Sequence, residues 1–301
     1  MAQLKVNLVN PANRVFPLKE AIRTAKEKLR LAFYENADVT TIIYEYSNFI
    51  YEVLGFAWDE FNWIENDKSW LKSRVSLLAV GGFGRKELLP HSDIDILILL
   101  ERDNVHLNKD NIQSFVTLLW DVGLNVGHSV RSLRDCKREA LSDVTSLTSM
   151  TEARVIRGKS VLLDKLNALL HPKKLWQKKK FYLAKAKEQK IRHEKSDYTE
   201  YSLEPNVKTS PGGLRDIQTL QWIASRTFAT QDFKELVAKQ IISRLEHDSL
   251  VEARAFLWKV RFGLHIIARR DENRLLFSHQ QSLAKHMNYR DKDQLAVEQF
   301  M

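Results

Sequence analysis

The spacing of apolar residues divides the chain into three parts. Apolar side chains recur at helical intervals in residues 18–33 and 42–54, which predicts two amphipathic helices near the N-terminus. Two continuous apolar runs of strand length follow, at 75–80 and 96–100. Beyond residue 160, helical spacing returns. The pattern predicts an α+β chain in which helices flank a small sheet.

A glycine pair, Gly81 and Gly82, and two acids, Asp93 and Asp95, separate the strand-like runs. Because side chains alternate across a strand, we expect both acids on one face. Neighbouring carboxylates repel one another unless a cation lies between them, and Mg²⁺ binds one or two protein carboxylates together with substrate phosphates. Glycines after a strand allow close approach of a ligand, and a helix over 83–88 would present free amides to an anion. Each motif alone is more often an ordinary turn or a solvated strand end, but together they indicate nucleotidyl transfer.

These residues resemble the DNA polymerase beta-like nucleotidyltransferase superfamily, whose signature is an apolar residue, a glycine pair and then Asp-x-Asp in a strand. A narrower resemblance is to bacterial PII uridylyltransferase/uridylyl-removing enzymes. It is carried by residues 81–88 with 92–95, by 121–131 and by 208–217. The resemblance implies a polymerase beta-like nucleotidyltransferase domain with a small mixed sheet, flanked by N-terminal helices and followed by a helical bundle domain.

We expect three regions along the chain. N-terminal helices pack on the catalytic domain (1–70), the nucleotidyltransferase domain follows (71–160), and a helical domain closes the nucleotide cleft (161–301). Within the second region, 124–133 is predicted to be a strand and 142–157 a helix.

The resemblance implies that Asp93 and Asp95 are the catalytic residues and the ligands of a Mg²⁺ cofactor. It implies nucleotide binding by two further groups: Gly81, Gly82, Arg85 and Ser92 near the acids, and Lys208, Gly212, Gly213 and Arg215 near a second glycine pair. A helix that begins after glycines and next to cations can bind an anion. Physics alone slightly favours an ordinary Pro-Gly turn there, whereas the resemblance favours binding of the nucleotide.

The third carboxylate that the superfamily usually contributes is not evident. The strand predicted at 124–133 has no acid; Asp121 precedes it, and Asp143 and Glu152 follow it. The third acid and the general base therefore stay unassigned. His128 is a candidate base, although a strand histidine with ordinary hydrogen bonds is the simpler interpretation.

The function that the resemblance implies is transfer of UMP from UTP to a tyrosine of the PII nitrogen-regulatory protein, with release of pyrophosphate. Family members remove UMP with an HD domain and sense glutamine with ACT domains, both C-terminal to this region. We expect a fragment or shorter form without them. The alternatives are a nucleotidyltransferase for another protein or a small molecule, and a non-catalytic regulatory or nucleic-acid-binding module on the same scaffold.

Composition and charge change this picture little. The net charge of +9 arises mainly between residues 173 and 195, a segment that contains ten Lys or Arg residues and only two Glu residues. A solvated helix face explains that run better than a phosphate-binding surface, so we expect no nucleic-acid partner. No apolar run approaches a membrane span and no signal-peptide pattern is present. The single cysteine, Cys136, excludes an internal disulfide and fits a cytoplasmic protein.

Overall fold

The computed structural model describes residues 15–64, 74–102, 105–195 and 203–301. The chain divides into two compact units, which we call unit 1 (residues 15–31 and 41–176) and unit 2 (residues 32–40 and 177–301). Unit 1 contains helices and a four-stranded sheet. The described part of unit 2 is helical apart from an isolated bridge between Asn206 and Arg274. The α+β class is confirmed, and the predicted domain limits at 70 and 160 stay a prediction.

Two helices open the described chain, α1 (Val15–Tyr34) and α2 (Val39–Asp59). Their apolar stripes are buried as the spacing predicts, among them Leu18, Ile22, Leu29, Ile43, Ile50 and Leu54. Helix α2 packs on the sheet, where the hydroxyl of Tyr51 donates a hydrogen bond of 3.0 Å to the carbonyl of Val155. The predicted N-terminal helices are confirmed.

The sheet has the order β3-β2-β1-β4. Its strands are β1 (Val75–Ala79), β2 (Ile94–Leu100), β3 (Val126–Ser132) and β4 (Arg154–Gly158). Strand β1 is antiparallel to β2 and β4, and β2 is parallel to β3. A parallel pair needs a crossover connection, which α4 (Lys109–Asp121) supplies. The small mixed sheet is confirmed.

Three further helices complete unit 1: α5 (Leu133–Ser142), α6 (Val144–Thr151) and α7 (Ser160–Leu170). The helix predicted over 142–157 is wrong in its second half, because α6 ends at Thr151 and β4 follows. Arg154 and Val155 pair with Ala79 and Leu78 of β1, so tertiary pairing overrides the local helical pattern. The helix predicted over 83–88 is instead the single turn α3 (Gly81–Gly84).

The two central strands are buried along almost their whole length. All five residues of β1 are buried, and Asp95 alone is exposed among the seven residues of β2. Because its neighbours along β2 are packed in the core, the backbone of the exposed acid is held in place. The core of unit 1 therefore holds Asp95 at a rigid position of the sheet.

Unit 2 contains the remaining helices, α8 (Lys178–Glu194), α9 (Leu214–Phe228), α10 (Phe233–Ala238), α11 (Arg244–Ala268), α12 (Phe277–His286) and α13 (Ala296–Phe300). The last turn of α1 belongs to this unit, where Phe33 stacks on His286 with ring centroids 4.0 Å apart. Gly263 on α11 leaves room for that ring, since a Cβ there would lie 2.8 Å from Phe33. The predicted helical bundle arrangement stays a prediction.

The basic run coincides with α8, and most of its lysines are exposed, as a solvated face requires. Lys185 is the exception: its side chain is 1% exposed, pairs with Glu188 at 2.6 Å and lies 4.1 Å above the ring of Trp222. Burial lowers the pKa of Lys185, although Glu188 opposes the change. This lysine therefore contributes to the interior of unit 2 rather than to its surface charge.

Cys136 lies on α5 and is fully buried. Burial raises the pKa of its thiol to about 12. The thiol is consequently protonated at neutral pH, which makes it an inert packing residue.

Candidate active site

The glycine turn lies directly beside the acidic end of β2. Gly81 has φ +56°, and a Cβ at this position would lie 3.4 Å from Oδ2 of Asp95. The amide of Val80 donates to the carbonyl of Asp95 at 3.1 Å, which joins the turn to the strand. The first hydrogen bond of α3 runs from Gly84 to Val80, so the amides of Gly81 and Gly82 precede it. The structure thus brings the predicted glycines and Asp95 together.

Asp93 and Asp95 are both exposed, at the start of β2. Asp93 precedes the strand and accepts a short hydrogen bond at Oδ1 from the side-chain amide of Asn125. The backbone carbonyl of Asn125 also accepts from the amide of Ile94, at 2.9 Å, so Asn125, which directly precedes β3, holds the start of β2 by two hydrogen bonds. Ser92 lies in the preceding turn, half-buried, with its amide bonded to Leu89 at 3.1 Å.

Gly127 on β3 is a site residue that sequence reasoning missed. It pairs with Asp95 in the parallel register, and a Cβ there would lie 2.7 Å from Oδ1 of Asp95. Any larger side chain would displace the carboxylate. Only the register of two strands far apart in sequence makes this requirement visible, because Gly127 alone looks like an ordinary strand glycine.

A pocket of about 310 Å³ opens beside Asp95. The exposed ends of β2 and β3 form one wall, and α6 forms another. Its polar lining combines one carboxylate, one guanidinium, one imidazole and three hydroxyls: Asp95, Arg131, His128, Ser129, Ser146 and Ser149. A polar concave site next to a predicted catalytic acid is the place where a charged substrate would bind.

Arg85, predicted to bind nucleotide, is engaged inside unit 1. Its guanidinium pairs with Glu87 at 2.8 Å and with Glu152 at 2.7 Å, and the side chains are 11%, 9% and 1% exposed. Burial alone would lower the pKa of Arg85, but the two carboxylates raise it above its ordinary value. Gly84 permits this arrangement, since a Cβ there would lie 2.2 Å from the carbonyl of Glu152. The geometry indicates a structural role for this arginine.

None of the acids considered for the third carboxylate joins Asp93 and Asp95. Asp143 caps α6 by accepting from the amides of Thr145 and Ser146 at 3.0 and 2.8 Å. Burial by itself would raise the pKa of Asp143, but these hydrogen bonds outweigh burial and lower the pKa below its ordinary value. Glu152 is bound to Arg85, and Asp121 ends α4. Among the described residues, no group of three or more His, Cys, Asp or Glu could hold a metal.

His128 occupies the opposite side of β3 from Gly127. Its ring lies 5.9 Å from that of Trp120 on α4, in an edge-on contact. His128 is also exposed and lines the pocket beside Asp95. Its role as a base stays a prediction.

The second glycine pair belongs to unit 2, and its amides are bonded within their own loop. Gly212 donates to the carboxylate of Asp216 at 2.9 Å, and Gly213 donates to the carbonyl of Ser210 at 2.9 Å. The next amides, those of Leu214 and Arg215, donate to the carbonyls of Val207 and Lys208. The backbone amides at the start of α9 therefore donate to acceptors in the same loop and helix turn, as the Pro-Gly turn interpretation requires.

The two cationic side chains of this loop, Arg215 and Lys208, interact with other residues of unit 2. The guanidinium of Arg215 lies 5.2 Å from the ring centroid of Trp222. The pKa of Asp271 is held well below its usual range by a hydrogen bond from His265 and by nearby cations that include Lys208. Nucleotide binding by Lys208, Gly212, Gly213 and Arg215 stays a prediction.

Replacing Gly213 by alanine should loosen this loop more than replacing Gly212. A Cβ at Gly213 would lie 2.9 Å from the carbonyl of Ser210, whereas one at Gly212 would meet nothing within 4 Å. Gly212 has φ +75°, so alanine there costs about 1 kcal/mol in backbone strain alone. We expect Gly213→Ala to cost about 1–3 kcal/mol. Hydrogen exchange of the 206–216 amides measures the difference, and equal protection in both variants would contradict it.

Two family models match the sequence. Residues 62–139 match a nucleotidyltransferase domain, which contains the glycine turn, both acids and β3. Residues 180–301 match GlnD PII-uridylyltransferase, which covers α9 and the loop before it. The two matches fall on the two regions that carry the predicted motifs.

Curated relatives extend the similarity to the whole chain. The bifunctional uridylyltransferase/uridylyl-removing enzyme of Stutzerimonas stutzeri is 44% identical over all of this chain. Those of Azotobacter vinelandii and Pseudomonas fluorescens are 43% and 42% identical over 99% of it. The resemblance read from the motifs is confirmed. This chain is similar along its length to the PII-uridylyltransferase family, and it spans 33% of each of these relatives.

The similarity supports an enzyme of the nucleotidyltransferase class. The glycine turn and both acids lie in a matched nucleotidyltransferase domain, and the relatives named above are bifunctional uridylyltransferase/uridylyl-removing enzymes. In the part of the chain that the structure describes, no helix has the length and apolar character needed to cross a membrane.

Proposed function

We propose that this chain transfers UMP from UTP to a tyrosine hydroxyl of a PII protein and releases pyrophosphate, in the cytoplasm and as part of nitrogen regulation. The observation that carries the proposal is the position of the Gly81 backbone, where a Cβ would lie 3.4 Å from Oδ2 of Asp95, beside a polar pocket that Asp95 lines. The names of the relatives and the two matched models support the same reaction.

Mg²⁺ is the proposed cofactor, held by Asp93 and Asp95. The donor set fits, because both carboxylates are exposed hard oxygen ligands at one strand end. Gly81 and Gly127 place no Cβ against the carboxylate of Asp95, where one would lie 3.4 Å from Oδ2 and 2.7 Å from Oδ1, respectively. When bound, Mg²⁺ would supply positive charge to the triphosphate and to the departing pyrophosphate.

The residues of the chain act by positioning. The tyrosine oxygen forms a bond to the α-phosphorus and its proton passes to water, while the bond from that phosphorus to the pyrophosphate oxygen breaks and pyrophosphate leaves. No enzyme nucleophile is needed, because phosphoryl-type transfers depend on alignment and charge stabilisation. The Gly81-Gly82 backbone lies where it can approach the triphosphate closely, and the rigid β2 strand keeps the acids in place.

A labelling assay tests the proposal. The purified chain is incubated with Mg²⁺, a purified PII protein and UTP labelled either at the α- or at the γ-phosphate. Label from the α-position should appear on PII, and label from the γ-position should not. PII with its tyrosines replaced by phenylalanine is the control acceptor. Absence of α-label from PII, or equal labelling of the control acceptor, would contradict the proposed reaction.

A further inference from the structure

The pocket beside Asp95 contains a cation that the mechanism above does not use. Arg131 lines this pocket, on β3, together with the hydroxyls of Ser129, Ser146 and Ser149. Sequence reasoning named Arg85, Lys208 and Arg215 as nucleotide-binding cations, with Arg85 the one near the acids, and did not name Arg131. Arg85 and Arg131 differ in the charged groups that surround them in the structure.

The register of the sheet places Arg131 on the same face as the catalytic acid. Asp95 pairs with Gly127, and Leu99 pairs with Arg131. Residues two or four apart on a strand share a face, so Gly127, Ser129 and Arg131 all point to the side of Asp95. At 3.3 Å per residue, the Cα of Arg131 lies about 13 Å from that of Gly127. The pocket therefore has a carboxylate near one end and a guanidinium near the other.

Arg131 is half-buried, and no hydrogen bond or ion pair joins its side chain to the described residues. The nearby thiol of Cys136 is neutral, because burial raises its pKa to about 12. Arg85 differs, since it already binds two carboxylates. A partly desolvated cation without a counter-charge is costly in free energy, and an anionic ligand would remove that cost.

The chemistry of the pocket selects a phosphate as that anion. Guanidinium groups bind phosphate oxygens through two parallel hydrogen bonds, which lysine cannot reproduce. Hydroxyl groups of serine add further donors to phosphate oxygens. The carboxylate of Asp95 at the other end fits a ligand that brings a divalent cation along with its phosphates.

We propose that Arg131 binds the phosphate groups of the nucleotide, in the pocket formed by β2, β3 and α6. This inference rests on the proposed function, because it names the group that recognises the triphosphate in the same site. It assigns to Arg131 the contact that the sequence suggested for Arg85.

Equilibrium binding tests this assignment without requiring transfer. Titration calorimetry with Mg²⁺–UTP and with Mg²⁺–tripolyphosphate is carried out on the wild-type chain, Arg131→Gln and Arg131→Lys. Loss of charge-assisted hydrogen bonds should weaken binding of both ligands by roughly 10- to 100-fold in Arg131→Gln. Arg131→Lys should recover only part of the loss, since it keeps the charge and loses the paired geometry.

Arg134→Gln is the matched control, because Arg134 is an exposed arginine on the neighbouring α5 and undergoes the same charge change. Its binding should equal that of the wild type. Equal affinity of Arg131→Gln and wild type would overturn the assignment, as would equal weakening by Arg134→Gln. Triphosphate binding that depends on Arg131, with no UMP transfer to PII, would sustain the assignment and contradict only the proposed function. A wild-type chain that binds neither ligand would overturn both.

Discussion

Asp95→Asn should reduce the proposed UMP transfer to PII by roughly 1,000-fold or more, because the variant removes a negative ligand for the proposed Mg²⁺, which would stabilise the charge of the triphosphate. Asp95 is the exposed residue of an otherwise buried strand, and asparagine has nearly the same shape. The fold should therefore be retained. Initial rates with α-labelled UTP at saturating Mg²⁺, together with the thermal unfolding midpoint, measure the two effects separately.

Asp121→Asn is the control for this experiment. Asp121 is another exposed aspartate of the same unit, at the end of α4, and undergoes the same change. Its transfer rate should match that of the wild type. If Asp95→Asn kept more than a tenth of the wild-type rate, the carboxylate would not be the proposed metal ligand. A large loss of thermal stability in Asp95→Asn would show a structural role instead.

Arg85→Met should destabilise unit 1 by about 3–5 kcal/mol, because it leaves the carboxylates of Glu87 and Glu152 buried without their counter-charge. The same change should disturb the glycine turn, since Gly84 packs against the backbone of Glu152. Urea unfolding followed by circular dichroism gives the free energy of unfolding. Adding Glu87→Gln and Glu152→Gln to the variant should restore part of the loss by removing the unpaired charges.

Arg138→Met provides the comparison, because Arg138 is an exposed arginine that pairs with Asp135 at 2.7 Å one turn away. An exposed pair of this kind contributes less than about 1 kcal/mol. If Arg85→Met behaved like Arg138→Met in unfolding but bound Mg²⁺–UTP much more weakly, Arg85 would be the phosphate-binding residue that the sequence suggested.

Local features of the site could be predicted because they depend on short-range rules. Two apolar runs around Gly81 and Gly82 predict strand, turn and strand, and alternation places Asp93 and Asp95 at the start of the second strand. Helical spacing likewise located α1 and α2. Each of these inferences uses only backbone periodicity and the conformational preferences of neighbouring residues, so no distant contact was needed.

Other features depend on pairs of residues that are remote in sequence. Glu152 lies 67 positions from Arg85 and decides what that arginine does. The register between β2 and β3 decides that Gly127 makes room for Asp95. The pairing of β4 with β1 converts the end of a predicted helix into a strand. Sequence periodicity contains no information about any of these contacts.

The amino-acid sequence by itself determined the family resemblance, the α+β class and the position of a glycine turn after one strand and of two acids at the start of the next, since neighbouring residues encode all three. The tertiary structure alone decided which arginine is bound by carboxylates and which one lines the pocket. The physical reason is that the state of a charged side chain depends on its burial and on its counter-charges, and the fold brings those together from separate parts of the chain.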